Sequence, residues 1–376
     1  MDCRPRRPRP AVHSFSLRYL LVVPVLLAIA TGIVLFIHSD TNTYMLYSQC
    51  HARSRLPWLS HIPVLGSPAC FLVSFFQEAG ASVRAFGLMA VILAFIAGLL
   101  TVSTVEAARI CNSPNVLIAY PTGPWLVFDL VGGAIVWQLV IIPAFFHRSR
   151  AIITARRCGS PSPPLPGPTD PVFGENMRHL ARLAETVAIP VAIAVGCVVP
   201  SLAMLFTNHP VAVFVWLFFP IWVSLVRQAV RRLVLLLGRD PRWHDSLHLE
   251  SSRCALFAVY AVPIACSVLA QAHFLLTLTQ PDDRREMTRS ALKFIAIDAF
   301  FVGLTVLYWI LVEAGWMTAV VVAVASFVLG PGAGICIGWI YRERTVDPDR
   351  SGTTVVAVGA RRDSEAGPSE ETPLLR

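Results

Sequence analysis

The carboxylates that stand within or at the edge of long apolar runs are Glu78, Glu106, Asp129, Asp298 and Glu313. A charged group inside a bilayer costs about 2.5–3.5 kcal/mol on insertion scales, so such a residue is a candidate for function by default. Asp129 lies in "GPWLVFDLVGGAIVWQLVIIPAFF", beside the Gly132–Gly133 pair and between Trp125 and Trp137. Asp298 lies in "AIDAFFVGLTVLYWILVEAG", ahead of Tyr308 and Trp309. Neither has a charged residue one helical turn away. A carboxylic acid kept neutral by apolar surroundings can deliver a proton. Aromatic faces then stabilise the cation that forms. These residue types therefore suit a reaction begun by protonation, with one Asp as acid and the other holding it in a shared-proton pair. Glu106 and His273, in "CSVLAQAHFLLTL", are the candidates to accept the final proton. Trp125, Trp137, Tyr308 and Trp309 are the candidates to line the pocket.

Plainer roles compete. Glu106 and Arg109, three residues apart, suit an ion pair at a helix end. His273 alone on an apolar helix suits a satisfied core histidine, and Glu313 in "EAGW" a helix-end residue. Asp129 and Asp298 suit a structural hydrogen-bond pair. In "QPDDRREM", Asp282, Asp283 and Glu286 have the D-D-x-x-E spacing with which some prenyl-diphosphate enzymes hold Mg²⁺. Arg284 and Arg285 interrupt it in a polar loop, which reads as a charged turn. No D-x-D-D, phosphate-binding glycine loop or H-E-x-x-H occurs. No metal and no cofactor is expected.

The elements that must position these groups are membrane helices. The chain has 376 residues, 55% hydrophobic and 14% charged, and a mean hydropathy of +0.62. Apolar runs recur from Leu17 to Tyr341, long enough to span as helices. The expected fold is all-α, a polytopic integral membrane bundle of eight to nine transmembrane helices. The clear segments are 17–37, 85–105, 124–146, 184–206, 211–230, 254–279, 291–313 and 317–341. A doubtful one, 62–80, is short and holds Gly66 and Pro68, which suits a spanning, re-entrant or interfacial segment. A basic tail, 1–16, precedes the bundle, 17–341, and a polar tail, 342–376, is expected to be disordered. The Pro-rich loop at about 158–171 is expected to be extended. The first apolar run reads as a retained signal anchor.

The net charge of +8 comes almost wholly from Arg, with Lys293 the only Lys. The Arg residues cluster at segment ends, which points to membrane topology and away from nucleic acid. Loops 147–183 and 230–253 are both basic and should be cytosolic. Nine crossings would put the N-terminus in the cytosol and the C-terminus in the lumen. "ETPLLR", similar to an acidic dileucine signal, argues for a cytosolic C-terminus. At 1.5 Å per residue Asp129 lies about 8 Å and Asp298 about 10 Å into their segments. Counting the segments from 124 onward and the one that ends at Glu106, whether or not 62–80 crosses, Asp129, Asp298, Glu106 and His273 share the lumenal third, and Glu78 and Glu313 lie near the other face. Most of the nine Cys residues lie in apolar runs as small apolar residues, and Cys50 with Cys111 is a candidate disulfide.

The stretches "IPVLGSPACFLVSFFQ", "GPWLVFDLVGGAIVWQLVIIPAFF" and "AIDAFFVGLTVLYWILVEAG" resemble the fungal membrane-bound terpene cyclases of the ascofuranone and ascochlorin pathways, over most of residues 55–345. The resemblance implies a metal-independent cyclase of isomerase or lyase type, acting by protonation on an epoxidised prenyl chain in meroterpenoid or terpenoid biosynthesis. It implies a lipophilic prenylated substrate, contact with membrane lipids, and an endoplasmic reticulum or other endomembrane location. The rival classes are a transporter or channel with a carboxylate relay, a seven-helix-like receptor and a non-catalytic scaffold.

Overall fold

The computed structural model describes residues 16–38, 66–158, 179–238, 241–249 and 252–346. The expected basic tail, Pro-rich loop and polar tail lie outside those residues, apart from a few at their edges. The regular structure described is helical, with isolated bridges joining Arg109, Leu180 and Leu247 in place of a sheet. Helix α1 is Leu17–His38, α2 is Gly66–Ala79 and α3 is Val83–Ala108. Helix α4 is Thr122–Val131. Helix α5, residues 133–158, runs through Gly133–Val136, a wide π-type turn at Trp137–Ile141, and Ile142–Cys158. Helix α6 is Glu185–Thr207, α7 Pro210–Trp216 and α8 Phe219–Leu237. Helix α9 is Arg253–Leu278, α10 Glu286–Ala314, α11 Trp316–Leu329 and α12 Pro331–Val346.

Five helices, α1, α3, α6, α9 and α10, are long and apolar enough to cross a membrane. A sixth span results if α7 and α8, bent by 62°, count together. The 26 residues of α3 would reach about 39 Å at 1.5 Å each, beyond a hydrocarbon core of about 30 Å. Local signals start these helices where they do. Ser82 accepts the Ala85 N–H and Ser252 the Ala255 N–H, each satisfying a donor that the first turn leaves free.

Helices α3 and α10 run side by side in the same direction. At their starts Asp283 accepts the Val83 N–H at 2.7 Å. At their ends Arg342 reaches both Glu106 and Glu313. Helix α1 runs the other way, with Leu20 receiving the Tyr308 hydroxyl at 2.9 Å and Thr31 bonded to Gln138. Loops 179–184 and 245–249 meet at this same end, where Leu180 and Leu247 pair. It carries Arg18, Arg109, Arg148, Arg182 and Arg342 and is here the basic end.

Two expected spans are not spans. Residues 124–146 break at Gly132, whose φ is 124°. Helix α4 enters from the basic end and α5 returns to it, so that Trp125 meets Trp137 at 6.0 Å and Arg148 donates to the Cys111 carbonyl at 2.6 Å. Residues 317–341 break at Gly330, φ 92°, and α11 and α12 fold back on one another, Gly338 against Val322. Both tips stop deep in the bundle, at Asp298 and at Ser267. The doubtful 62–80 contains α2, whose 14 residues reach about 21 Å, short of a full crossing. Gln77 near its end donates to the Asn208 carbonyl, at the end away from the basic loops. Residues 17 and 342 therefore lie at one end of the bundle, where nine crossings would have set them at opposite ends.

Candidate functional site

The break at Gly132 creates the site. It exposes the N–H groups of Gly133 and Ala134 in the middle of the bundle, where water cannot satisfy them. Asp298 of α10 does so: Oδ2 accepts the Gly133 N–H and Oδ1 the Ala134 N–H, each at 3.0 Å. A carboxylate at a helix start also meets the positive end of the helix dipole. The close approach requires glycine, since a Cβ at Gly133 would stand 2.9 Å from Asp298 Oδ2 and 2.3 Å from Phe128.

Asp129 sits on the last turn of α4, 8% exposed, and its Oδ2 has no hydrogen-bond partner among the described residues. Both aspartates line one cavity of about 330 Å³. Its walls are otherwise apolar and include several rings: Phe71, Phe75 and Phe76 of α2, Phe95 of α3, Phe128 of α4, Trp216 of α7 and Phe294 of α10. The arrangement can present one unbonded carboxyl oxygen to an apolar guest, surrounded by aromatic faces that stabilise positive charge.

The two aspartates thus share a cavity, but in place of the expected hydrogen bond between them Asp298 accepts bonds from the α5 backbone. Glu106 is elsewhere. Buried at the basic end, it takes bonds from Asn112, Trp339 and Arg342 and pairs with Arg109 at 3.1 Å. Glu313, expected near the face of the basic loops and away from Glu106, does lie at that end, and there joins the same cluster through Arg342 and Ser149. The depth assigned to Glu106 is therefore wrong, because 124–146 doubles back and does not cross. His273 is exposed on α9 against Phe86, outside the cavity. Glu78, expected near the same face as Glu313, lies instead near the end of α2 at the opposite end of the bundle, beside Gln77 and its bond to Asn208.

The expected pocket aromatics also lie outside this cavity. Trp137 and Trp309 are buried in a ring cluster, 6.1 Å apart, and Trp309 packs at a tilt against Trp339, 4.4 Å away. Tyr308 is turned to α1. Trp125 packs on Phe128 and lines a separate polar cavity near Arg109, Arg227 and Arg231. The rings that line the Asp129 cavity were missed, although "CFLVSFFQ" carries Phe71, Phe75 and Phe76 at helical spacing.

Asp282 pairs with Arg284 and Arg289, and hydrogen bonding from Arg284 holds its carboxyl below the usual range. The N–H of Val83 does the same for Asp283. Both act as turn and cap residues. Cys111 is buried and not disulfide-bonded, and Cys50, its candidate partner, lies outside the described residues; Cys70 is disulfide-bonded.

No family model matches the chain, and no solved structure matches it. The FAD-dependent monooxygenase anuJ of Penicillium roqueforti is 24% identical over 280 residues, covering 67% of this chain and 31% of that protein. The chain thus spans about a third of the length of this curated relative.

Proposed function

We propose that this chain is an integral membrane terpene cyclase that protonates an epoxidised prenyl chain of farnesyl type. The observation that carries this is the unbonded Asp129 Oδ2 in a ring-lined apolar cavity. Neutral Asp129 gives its proton to the epoxide oxygen, and the C–O bond to the more substituted carbon breaks. Chain double bonds close rings on that cation while the aromatic walls stabilise it. Glu106 and His273 do not reach the cavity, so the Asp129 carboxylate left by the first step takes the final proton. The reaction is then an isomerisation that restores the acid. Asp298 is a positioning residue: it fixes the tip that carries Asp129.

The activity that the relative is named for is of another type. Flavin binding rests on a parallel-sheet domain, and the described residues here form no sheet. A monooxygenase adds an oxygen atom to its substrate, and a cyclase that opens an epoxide consumes such a product. For topology, six crossings with two hairpins from the basic end replace the expected eight to nine. Both ends of the described bundle then face the cytosol of an endomembrane. The disulfide at Cys70, on the helix that ends at the opposite face, suits an oxidising lumen.

One observation favours a transporter as the second reading. Broken helices that meet carboxylates at mid-depth also build ion sites. Microsomes from an expressing host, given a panel of epoxyprenyl aromatics, separate the two. The expected result is a cyclised isomer of unchanged mass and its loss with Asp129→Asn, by a factor of about 10²–10⁴. No cyclised product from any substrate, with proton-coupled uptake into proteoliposomes, would overturn the cyclase reading.

A further inference from the structure

A second cavity, of about 310 Å³, adjoins the first. Ile92, Phe95 and Ala299 line both, so the two are neighbours across a shared wall. The second lies between α3, α10 and the α11–α12 hairpin, and its lining is apolar except for Ser326. Phe300, at its edge, is 62% exposed on the outside of the bundle, where lipid would lie. The first cavity alone sits at the low end of the roughly 300–1,000 Å³ that ligand sites occupy. A farnesyl-type chain with an aromatic head needs more room than that.

We propose that the second cavity seats the part of the prenyl chain remote from the epoxide, and that Gly303 sets the chain length accepted. This rests on the cyclase reading. The epoxide end lies against Asp129, and the chain passes Ile92, Phe95 and Ala299 into the apolar slot. Substrate reaches it sideways from the bilayer, past Phe300. Ala296, Ala299 and Gly303 stand three and four residues apart and so share one face of α10. A Cβ at Gly303 would stand 4.0 Å from Phe95 Cζ, an ordinary contact. A methyl fits there, and a larger side chain fills the slot without touching the aspartates. Leucine also favours a helix more than glycine does, so Gly303→Leu is expected to fold. Ala323→Leu narrows the slot from the opposite wall, on α11, and serves as an independent variant.

The test is competition between geranyl-type and farnesyl-type epoxides in microsomes. Both variants should raise the geranyl-to-farnesyl turnover ratio by about tenfold or more, the scale on which a filled apolar pocket discriminates. An unchanged ratio in both, at normal protein levels, overturns the proposal and leaves the cyclase reading standing. A wild type that turns over neither substrate overturns the cyclase reading instead. Photolabelling then tests the slot without turnover, using a farnesyl epoxide with a diazirine at the end remote from the epoxide. Labelled peptides from α10 and α11, lost in Gly303→Leu, support the slot as the chain's seat. Labelling elsewhere, or equal displacement of the label by phospholipid, overturns it.

Discussion

Asp298 caps the backbone of Gly133 in the middle of the bundle, with its second oxygen on the next N–H. Asp129, four residues earlier, leaves an oxygen unbonded in the same cavity. Two carboxylates that look alike in sequence therefore differ in what their loss does. Asp298→Ala strands two buried N–H groups, at about 1–3 kcal/mol each, and should lower the melting temperature in detergent. Asp298→Asn keeps one acceptor and should fall between. Asp129→Asn should leave the melting temperature unchanged or raised while turnover collapses. The reverse ranking in thermal unfolding would remove this division of roles.

Gly132 has φ 124° and ψ 130°, a conformation that side chains with a Cβ rarely adopt. Gly132→Ala should cost about 1–3 kcal/mol and displace Asp129 from the cavity. Gly123, with open space around its Cβ position, is the control. Gly123→Ala should preserve both stability and turnover, measured by detergent melting and by product formation.

The sequence made Asp129 and Asp298 stand out because depth and isolation from other charges are local properties. It did not show that 124–146 turns back, since both arms of the hairpin are apolar and a hydropathy window averages across Gly132. That one error then misplaced Glu106, whose depth was counted on the crossing of 124–146. The choice of Trp125 and Trp137 as pocket rings followed nearness in sequence to Asp129. The wall rings come from α2, α3, α4, α7 and α10 instead, and what brings these five helices around one cavity is tertiary contact that no local pattern encodes.

Arg342 binds Glu106 and Glu313 and lies 4.3 Å over the Trp339 ring. It ties α12 to α3 and α10 at the basic end. Arg342→Met leaves both carboxylates short of a partner in a buried site, at about 3–5 kcal/mol. Because the groups form one cluster, adding Glu313→Gln should cost less than the two single losses combined. A double-mutant cycle of melting curves checks this, and strict additivity would contradict the cluster.

Asp283 accepts the N–H groups of Val83 and Arg84 at 2.7 and 3.3 Å, which holds its carboxyl below the usual range. A carboxyl lowered on folding stabilises above its unfolded value, near about pH 4. That contribution fades only as the pH falls through the lower folded value. Asp283→Ala should therefore lower the melting temperature by a constant amount from neutral pH down to about pH 5. The gap to wild type should shrink below about pH 4. A gap that is already closed at neutral pH would show that the cap contributes nothing.

The last prediction concerns sidedness. Residue 17, the junction of loops 179–184 and 245–249, and Arg342 lie at one end of the bundle. Asn208 and the turn that holds Asp282 and Asp283 lie at the other. Arg18, Arg109, Arg148, Arg182 and Arg342 mark the first end, with Glu106 and Glu313 buried among them. At the second end Arg84, Arg284, Arg285 and Arg289 stand beside Glu78, Asp282, Asp283 and Glu286, so no comparable excess remains. The positive-inside rule then makes the first end cytosolic. In sealed microsomes, tags before residue 16, after residue 346 and at 245 should all be cut by added protease. A glycosylation acceptor placed at the 279–285 turn should be modified only if that turn is lumenal. A protected C-terminal tag beside a cleaved N-terminal one would restore an odd number of crossings. It would also require the 316–346 hairpin to open into a single span.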